Sequence, residues 1–201
     1  MLKIGITGGI GSGKTTVCKV FELLGIPIFY ADTVAKLIMH TDPVLKDEIL
    51  KTFGEKSYSI DGDLNRAHLS SIVFNNETEL NKLNALVHPA VFRAFDKWLA
   101  IHHDAPYIIK EAALLFETKS YTMCDLSVLV VSPEASRVRR VIARDGISHD
   151  ELVLRMKSQL SDEQKMKLAD HILFNDESQL LIPKILELDQ QFLKLISDND
   201  H

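Results

Sequence analysis

Apolar positions run through this chain in two rhythms. Met1-Leu-Lys-Ile-Gly-Ile-Thr7 is a short, largely apolar run that predicts a buried strand; from Thr15 the spacing lengthens, and Val17, Val20, Phe21 and Leu24 fall on one face of a helix that Gly25 stops. Gly25-Ile-Pro-Ile-Phe-Tyr-Ala-Asp32 then reads as a turn and a second short strand ending at Asp32. Tyr107–Glu111 and Asp125–Val131 are further runs of strand length, His171–Phe174 is a shorter one, and the helical period returns from Gln179 to Ile196. Strands alternating with helices imply a parallel sheet with helices on both faces, and such sheets gather ligands at the C-terminal ends of their strands.

The stretch from Asp32 to Tyr107 is too long for a simple crossover, and its pattern is helical throughout. Val44 to Phe53 ends at Gly54, Arg66 to Phe74 follows a polar turn, and Thr78 to His102 is expected to break at His88-Pro89, with His102-His103 as a helix end. A second helical outgrowth lies between Ser132 and Leu168. Ser132-Pro133 suggests a cap followed by proline at the first helical position, and Ser148-His-Asp-Glu151 and Ser161-Asp-Glu-Gln164 are capping boxes, so three short helices are expected. The predicted organisation is a core of 1–43, 103–131 and 169–201, an all-helical domain of 44–102 leaning over the ligand end of the sheet, and a mobile lid of 132–168.

Composition adds limits. With 201 residues, 46% hydrophobic and 25% charged, the chain can bury one good core with a subordinate insertion. A net charge of −5 argues against nucleic acid or an anionic membrane as the main partner. No apolar run approaches membrane-spanning length, and the start lacks a basic region followed by a hydrophobic segment, so a cytoplasmic protein is expected. Cys18 and Cys124 are too few for a disulfide scaffold and read as reduced core residues.

The chemistry begins at Gly5-Ile-Thr-Gly-Gly-Ile-Gly-Ser-Gly-Lys-Thr-Thr-Val17. Gly8, Gly13, Lys14 and Thr15 fit G-x-x-x-x-G-K-[ST] between a strand and a helix. Successive main-chain N–H groups and a helix N-terminus in that arrangement capture phosphate. Gly9, Gly11, Ser12, Gly13, Lys14, Thr15 and Thr16 therefore form the expected ATP cradle, with Lys14 on the β and γ phosphates and the Thr15 hydroxyl on Mg²⁺. The fold class is a P-loop NTPase-type parallel sheet. No Asn-Lys-x-Asp or Asp-x-x-Gly accompanies the loop, which argues against a signalling GTPase.

Acidic and basic candidates surround this motif. Asp32, expected on the strand beside the one carrying the loop, would take a hydroxyl proton during transfer to an alcohol, or else cap the following helix. Glu111, at a strand end, would order a magnesium-bound water or contact substrate. Arg137, Arg140 and Arg144 share one helix face, with Val138, Val141 and Ile142 expected opposite. Like charges so spaced call for a phosphate, or for a solvated face paired with Glu134 and Asp145. His88 binds substrate or fills a kink, Arg66 holds a phosphate or is a surface charge, and Asn175 reads an adenine edge or caps a turn. Leu114, Leu115 and Phe116 are a buried-looking apolar set.

Taken in order, these segments resemble the dephospho-coenzyme A kinase family over nearly the whole chain. The matching segments are Ile4 to Thr15, Tyr30-Ala-Asp-Thr-Val-Ala-Lys36, Asp61-Gly-Asp-Leu-Asn-Arg-Ala-His-Leu69, Leu83-Asn-Ala-Leu-Val-His-Pro89, Leu114-Leu-Phe-Glu117, Cys124-Asp, Arg144-Asp-Gly146 and Asn175. The resemblance implies ATP-dependent phosphorylation of the ribose 3′-hydroxyl of dephospho-CoA, with Mg²⁺, by a nucleotide-binding core, a helical CoA-binding domain and a lid. It implies Asp32 as base, Arg140 as lid arginine, Arg144 and Asn175 on the nucleotide, and Arg66, His88, Glu111 and Leu114 to Glu117 on the substrate side. ATP and dephospho-CoA are the implied partners of a monomer or weak homo-oligomer. Glu111 stands where the family usually has Asp, Ala113 where it has proline, and Arg137 where Gln is common. Outside this family, the same residues fit a nucleoside or nucleoside-monophosphate kinase, or an ATP-binding switch that grips a protein.

Overall fold

The computed structural model describes residues 1–74 and 76–199. In chain order the first elements are β1 (Leu2–Gly8), α1 (Lys14–Leu23), β2 (Ile28–Tyr30), α2 (Ala31–Thr41), α3 (Pro43–Phe53), α4 (Arg66–Val73) and α5 (Glu77–Ile101). They are followed by β3 (Tyr107–Glu111), β4 (Leu126–Val131), α6 (Glu134–Asp145), α7 (His149–Lys157), α8 (Asp162–Met166), β5 (His171–Phe174) and α9 (Leu181–Asn199). Two compact units result: Met1–Tyr30 with the chain from His102 onward, and Ala31–Ile101.

In the first unit the five strands are all parallel, in the order β2-β3-β1-β4-β5. The strands are short and nearly continuous in apolar residues because both faces are covered. One face packs Ile4, Ile6, Tyr107, Ile109, Val128 and Val130 against Val17, Cys18 and Phe21 of α1 and Ile185, Leu188 and Phe192 of α9. Tyr107 is its centre, edge-on to Phe21 and Phe192 and donating its hydroxyl to Asp189. Asp170 clamps the start of β5 to β4, accepting from the Ser127 N–H at 2.8 Å and the Ser127 hydroxyl at 2.7 Å.

The order corrects one expectation. β2, the strand leading to Asp32, is not beside β1; β3 lies between them, with Ile6 and Tyr30 both registered to Glu111. The long helical insertion between β2 and β3 lets the returning strand pair one position inward, which leaves the three-residue β2 at the edge. Asp32 itself is in the first turn of α2 and not at a strand end.

The second unit is helical, as expected, but it starts at Ala31 because α2 packs on α3 and α5. Its core is Ile38, Leu45, Ile49, Phe53, Leu69, Val87, Ala90, Val91 and Phe95, joined by Tyr58, whose hydroxyl donates to the Met39 carbonyl at 2.8 Å. α5 does not break at Pro89. The ring removes one hydrogen bond, but Val87, Ala90, Val91 and Phe95 bury a face on both sides of it, and packing carries the helix through.

Residues 132–168 form three short helices, as expected, and both capping boxes are present. Ser132 does not cap α6: that helix starts at Glu134 with no side-chain cap, because the Ser132 hydroxyl is taken by Arg140.

Candidate active site

Where β1 ends, the chain turns through the glycine-rich loop into α1. Gly11 and Gly13 have φ of 78° and 99°, left-handed values that a side chain resists, and Gly13 caps α1 with no side-chain bond. The loop's shape is held from outside as well as within. Asn175, just after β5, donates its Nδ2 to the Ser12 carbonyl at 2.9 Å, and the Ser12 N–H bonds to the Gly9 carbonyl at 3.1 Å. The Ser12 hydroxyl is buried, turned back toward Gly8, and makes no hydrogen bond among the described residues.

Lys14, at the start of α1, is buried and folds its ammonium onto the loop, 2.9 Å from the Gly8 carbonyl and 3.4 Å from that of Gly9. Glu111, buried at the C-terminal end of β3, shares its neighbourhood: burial first, then the carboxylates of Glu111 and Glu22, push the Cys18 thiol well above its ordinary value, and the Lys14 charge pulls it back. Cys18 is thereby an inert core thiol, and burial likewise pushes Cys124 up to about 11.

α6 covers the loop. A Cβ at Gly11 would lie 2.7 Å from the Arg137 carbonyl and 2.8 Å from Val141 Cγ2, so this helix rests directly on the loop's main chain. That contact corrects the expected division of faces. Arg137 and Val141, one turn apart, are both buried toward the loop, whereas Ile142 is turned out to solvent. Arg137 pairs with Asp162 of α8 at 3.4 Å, and its buried Nε has no hydrogen-bond partner among the described residues.

Arg140 reaches the same place from the next position. Its guanidinium donates to the Ser132 hydroxyl at 3.0 Å, to the Gly11 carbonyl at 3.5 Å and to Glu177 at 3.1 Å. Arg144, more exposed, is held in a two-point pair by its neighbour Asp145 at 2.7 and 2.8 Å, which keeps the Asp145 carboxyl below its ordinary value. Gly11, Gly13, Lys14, Thr15, Thr16, Arg140, Val141 and Arg144 together line a cavity of about 170 Å³. Main-chain amides, two threonine side chains and three cationic side chains around one cavity at a helix N-terminus make an anion site of the kind a triphosphate fills.

A family profile described as dephospho-CoA kinase matches residues 2–180. The chain belongs to the dephospho-CoA kinase family. It is a kinase that phosphorylates dephospho-CoA, the last step of coenzyme A synthesis. A dephospho-CoA kinase of Salinibacter ruber is 43% identical over 178 residues, covering 88% of this chain and 89% of the relative. A crystal structure from Thermus thermophilus superposes with a TM-score of 0.84 at 33% identity, covering 94% of this chain and 96% of that one. The dephospho-CoA kinase from Campylobacter jejuni superposes with a TM-score of 0.70 at 25% identity, covering 96% and 97%.

Against that family frame, the residues predicted for ATP separate into two groups. Gly11, Gly13, Lys14, Thr15, Thr16, Arg140 and Arg144 share the cavity wall, while Gly9, Ser12 and Asn175 are outside its lining, Asn175 meeting the loop at Ser12 and Gly13. Gly9 lies under the Arg137 guanidinium. On the substrate side, Leu115 has no exposed surface and packs against Gly5, and Phe116 is buried beside Tyr121, so both are packing residues in this structure. Leu114 is half-buried. Glu117 accepts from the Leu160 N–H at 2.8 Å and lies 3.0 Å from Lys165 Nζ, which ties α8 to the segment after β3. In the helical unit, Asp32 is exposed in α2, Arg66 is exposed at the start of α4 with no ion pair among the described residues, and His88 is half-buried in α5.

Four residues that sequence reasoning passed over are part of this construction: Ser132 and Glu177 on Arg140, Asp162 on Arg137, and Lys165 on Glu117. Lys165 had no signal at all. In Asp-Glu-Gln-Lys-Met it reads as a surface lysine, yet it is fully buried.

Proposed function

We propose that the γ-phosphoryl group of ATP is transferred to the ribose 3′-hydroxyl of dephospho-CoA, with Mg²⁺ on the triphosphate. The observation that carries this reading is the cavity at the start of α1, where loop amides, Lys14 and Arg140 converge. The hydroxyl oxygen forms the new bond to the γ phosphorus, the bond from that phosphorus to the β–γ bridging oxygen breaks, and ADP leaves. Asp32 accepts the hydroxyl proton. Lys14 leaves the Gly8 and Gly9 carbonyls for the β and γ phosphates, and Arg140 sets its guanidinium against the equatorial oxygens where charge spreads in the loose transition state.

The residues present suit magnesium. Thr15 lines the cavity with a hydroxyl, a hard oxygen donor, and Glu111 brings a carboxylate to the adjoining strand end. Magnesium keeps several waters and takes few protein ligands beside substrate phosphates, so these donors are enough. When bound it neutralises charge on the β and γ oxygens. Arg66, His88 and Leu114 are the residues assigned to the acceptor.

The reading carries with it a cytoplasmic place of action and a monomer or weak homo-oligomer; among the described residues no helix is long and apolar enough to cross a membrane. Asp32→Asn tests the mechanism. ATP affinity should be unchanged and turnover reduced by roughly 10²–10⁴-fold, the range of a general base. Near-normal turnover would remove Asp32 from the proton transfer.

A further inference from the structure

Between α7 and α8 the chain makes a connector of four residues, and its second residue reaches further than any capping motif requires. Gln159 Oε1 accepts the Ile10 N–H at 3.0 Å, and Gln159 Nε2 donates to the Ala113 carbonyl at 3.4 Å. The next residue continues the seam: the Leu160 N–H donates to Glu117, whose carboxylate lies 3.0 Å from the buried Lys165 of α8. Ala113 and Glu117 lie in the segment after β3, two and six residues past its end, and Ile10 stands between Gly9 and Gly11 in the phosphate loop. One side-chain amide therefore joins three segments that are distant in sequence.

We propose that Gln159 is a positioning residue for phosphoryl transfer, the lid side chain that fixes the register of the phosphate loop against the exit of β3. The proposal rests on the kinase reading above. Ile10 is flanked by glycines, whose backbone is the least restrained in the chain, so an external bond to its N–H has a larger effect on loop shape than the same bond in a helix. The chemistry of the side chain fits the task. A primary amide presents an acceptor and a donor at one end, as an N–H and a carbonyl facing each other require. A carboxylate would hold the Ile10 N–H but repel the Ala113 carbonyl, and would set a negative charge beside the anion site. Glutamine completes the contact without charge.

Two variants separate positioning from plain packing. Gln159→Met keeps the length and loses both bonds; Gln159→Glu keeps the shape and the bond to Ile10 but adds a titrating charge. With ATP, Mg²⁺ and dephospho-CoA, kcat of Gln159→Met should fall about 10- to 100-fold, as for a misplaced reacting group, with KM for dephospho-CoA nearly unchanged and thermal unfolding close to wild type. In Gln159→Glu the ATP Kd should be raised at neutral pH and return toward the wild-type value as pH falls and the introduced carboxyl is protonated. A kcat for Gln159→Met within about twofold of wild type, below what one ordinary hydrogen bond is worth, would overturn the proposal, as would an ATP Kd in Gln159→Glu with the pH dependence of wild type. Wild-type protein that binds ATP without phosphorylating dephospho-CoA would overturn the kinase reading alone, and the pH dependence of ATP affinity would still decide the role of Gln159.

Discussion

The guanidinium of Arg137 lies on Gly9 so closely that a Cβ there would stand 1.8 Å from Nη1, while the other end of that guanidinium meets Asp162 at 3.4 Å. An arginine of α6 thus uses the space left by a glycine, and the loop's composition answers to the helix packed on it. Gly9 and Gly11 face different obstacles, however. Over Gly9 the obstacle is the tip of a flexible side chain; over Gly11 it is the Arg137 main-chain carbonyl, and Gly11 also has a positive φ.

The two alanine variants should therefore differ. Gly9→Ala displaces the tip of a flexible side chain and strains a largely buried charge-assisted contact, at a cost of about 2 kcal/mol. Gly11→Ala adds backbone strain to a clash with main chain, roughly 3 kcal/mol or more. Urea unfolding of both variants checks the ranking, and equal losses would contradict it.

Arg140 lines the cavity while bonded to Ser132, the Gly11 carbonyl and Glu177. Glu177, at a positive φ of 67°, pairs with both Arg139 and Arg140 from a well-exposed position. Arg140→Ala should lower kcat by a factor on the order of 10³, the lower range for an arginine that stabilises transferring phosphate. Glu177→Gln should leave kcat within about fivefold, because an exposed ion pair is worth at most about 1 kcal/mol. Steady-state kinetics on both variants separates charge delivery from charge storage.

The buried pair of Lys165 and Glu117 is a structural tie with a different signature. Lys165 is 0% exposed, and its Nζ makes no hydrogen bond of good geometry among the described residues although Glu117 is 3.0 Å away. Lys165→Met leaves the Glu117 carboxylate largely buried without its counter-charge and should cost about 3–5 kcal/mol. Adding Glu117→Gln, which keeps an acceptor for the Leu160 N–H, should recover much of that loss in chemical denaturation. A double variant as unstable as the single would contradict the pair's role.

Acid should loosen the helical unit through Asp42. This residue caps α3, accepting the Val44 and Leu45 N–H groups at 2.9 and 3.1 Å. The Leu45 bond, then the Arg93 charge against some burial, holds its carboxyl below the ordinary 3.8. A folded value below the unfolded one means that the contribution is whole above pH 3.8 and is lost as pH falls through the folded value. Asp42→Ala should cost about 1 kcal/mol at neutral pH. Asp42→Asn should keep most of the cap and flatten the acid slope of stability, which denaturation at neutral and acid pH would measure.

Much of this was written in the sequence, and the boundary of what was not is physical. The loop, both capping boxes and the buried strands are local patterns, each decided by residues within one turn or one strand, and they appear where expected. Strand order was not local. Nothing near Asp32 says that β3 returns inside β2, because the path of the intervening helices decides it. Pro89 misled for the related reason that packing on both sides outweighs one missing hydrogen bond. Arg140 and Lys14 were legible as charges gathered at the loop, where they line one cavity; Ser132, Gln159, Asp162 and Lys165 were not, since each matters only through a partner far away in sequence.

The central claim is transfer to the ribose hydroxyl of dephospho-CoA, and product identification tests it most directly. The protein is mixed with ATP, Mg²⁺ and equal amounts of dephospho-CoA and a free nucleoside monophosphate, and the products are resolved by mass and by the position of the new phosphate. The account predicts coenzyme A and ADP in equal amounts, with the phosphate on the 3′-oxygen and the free nucleotide untouched. Preferential phosphorylation of the free nucleotide, or ADP and inorganic phosphate with neither acceptor modified, would contradict it.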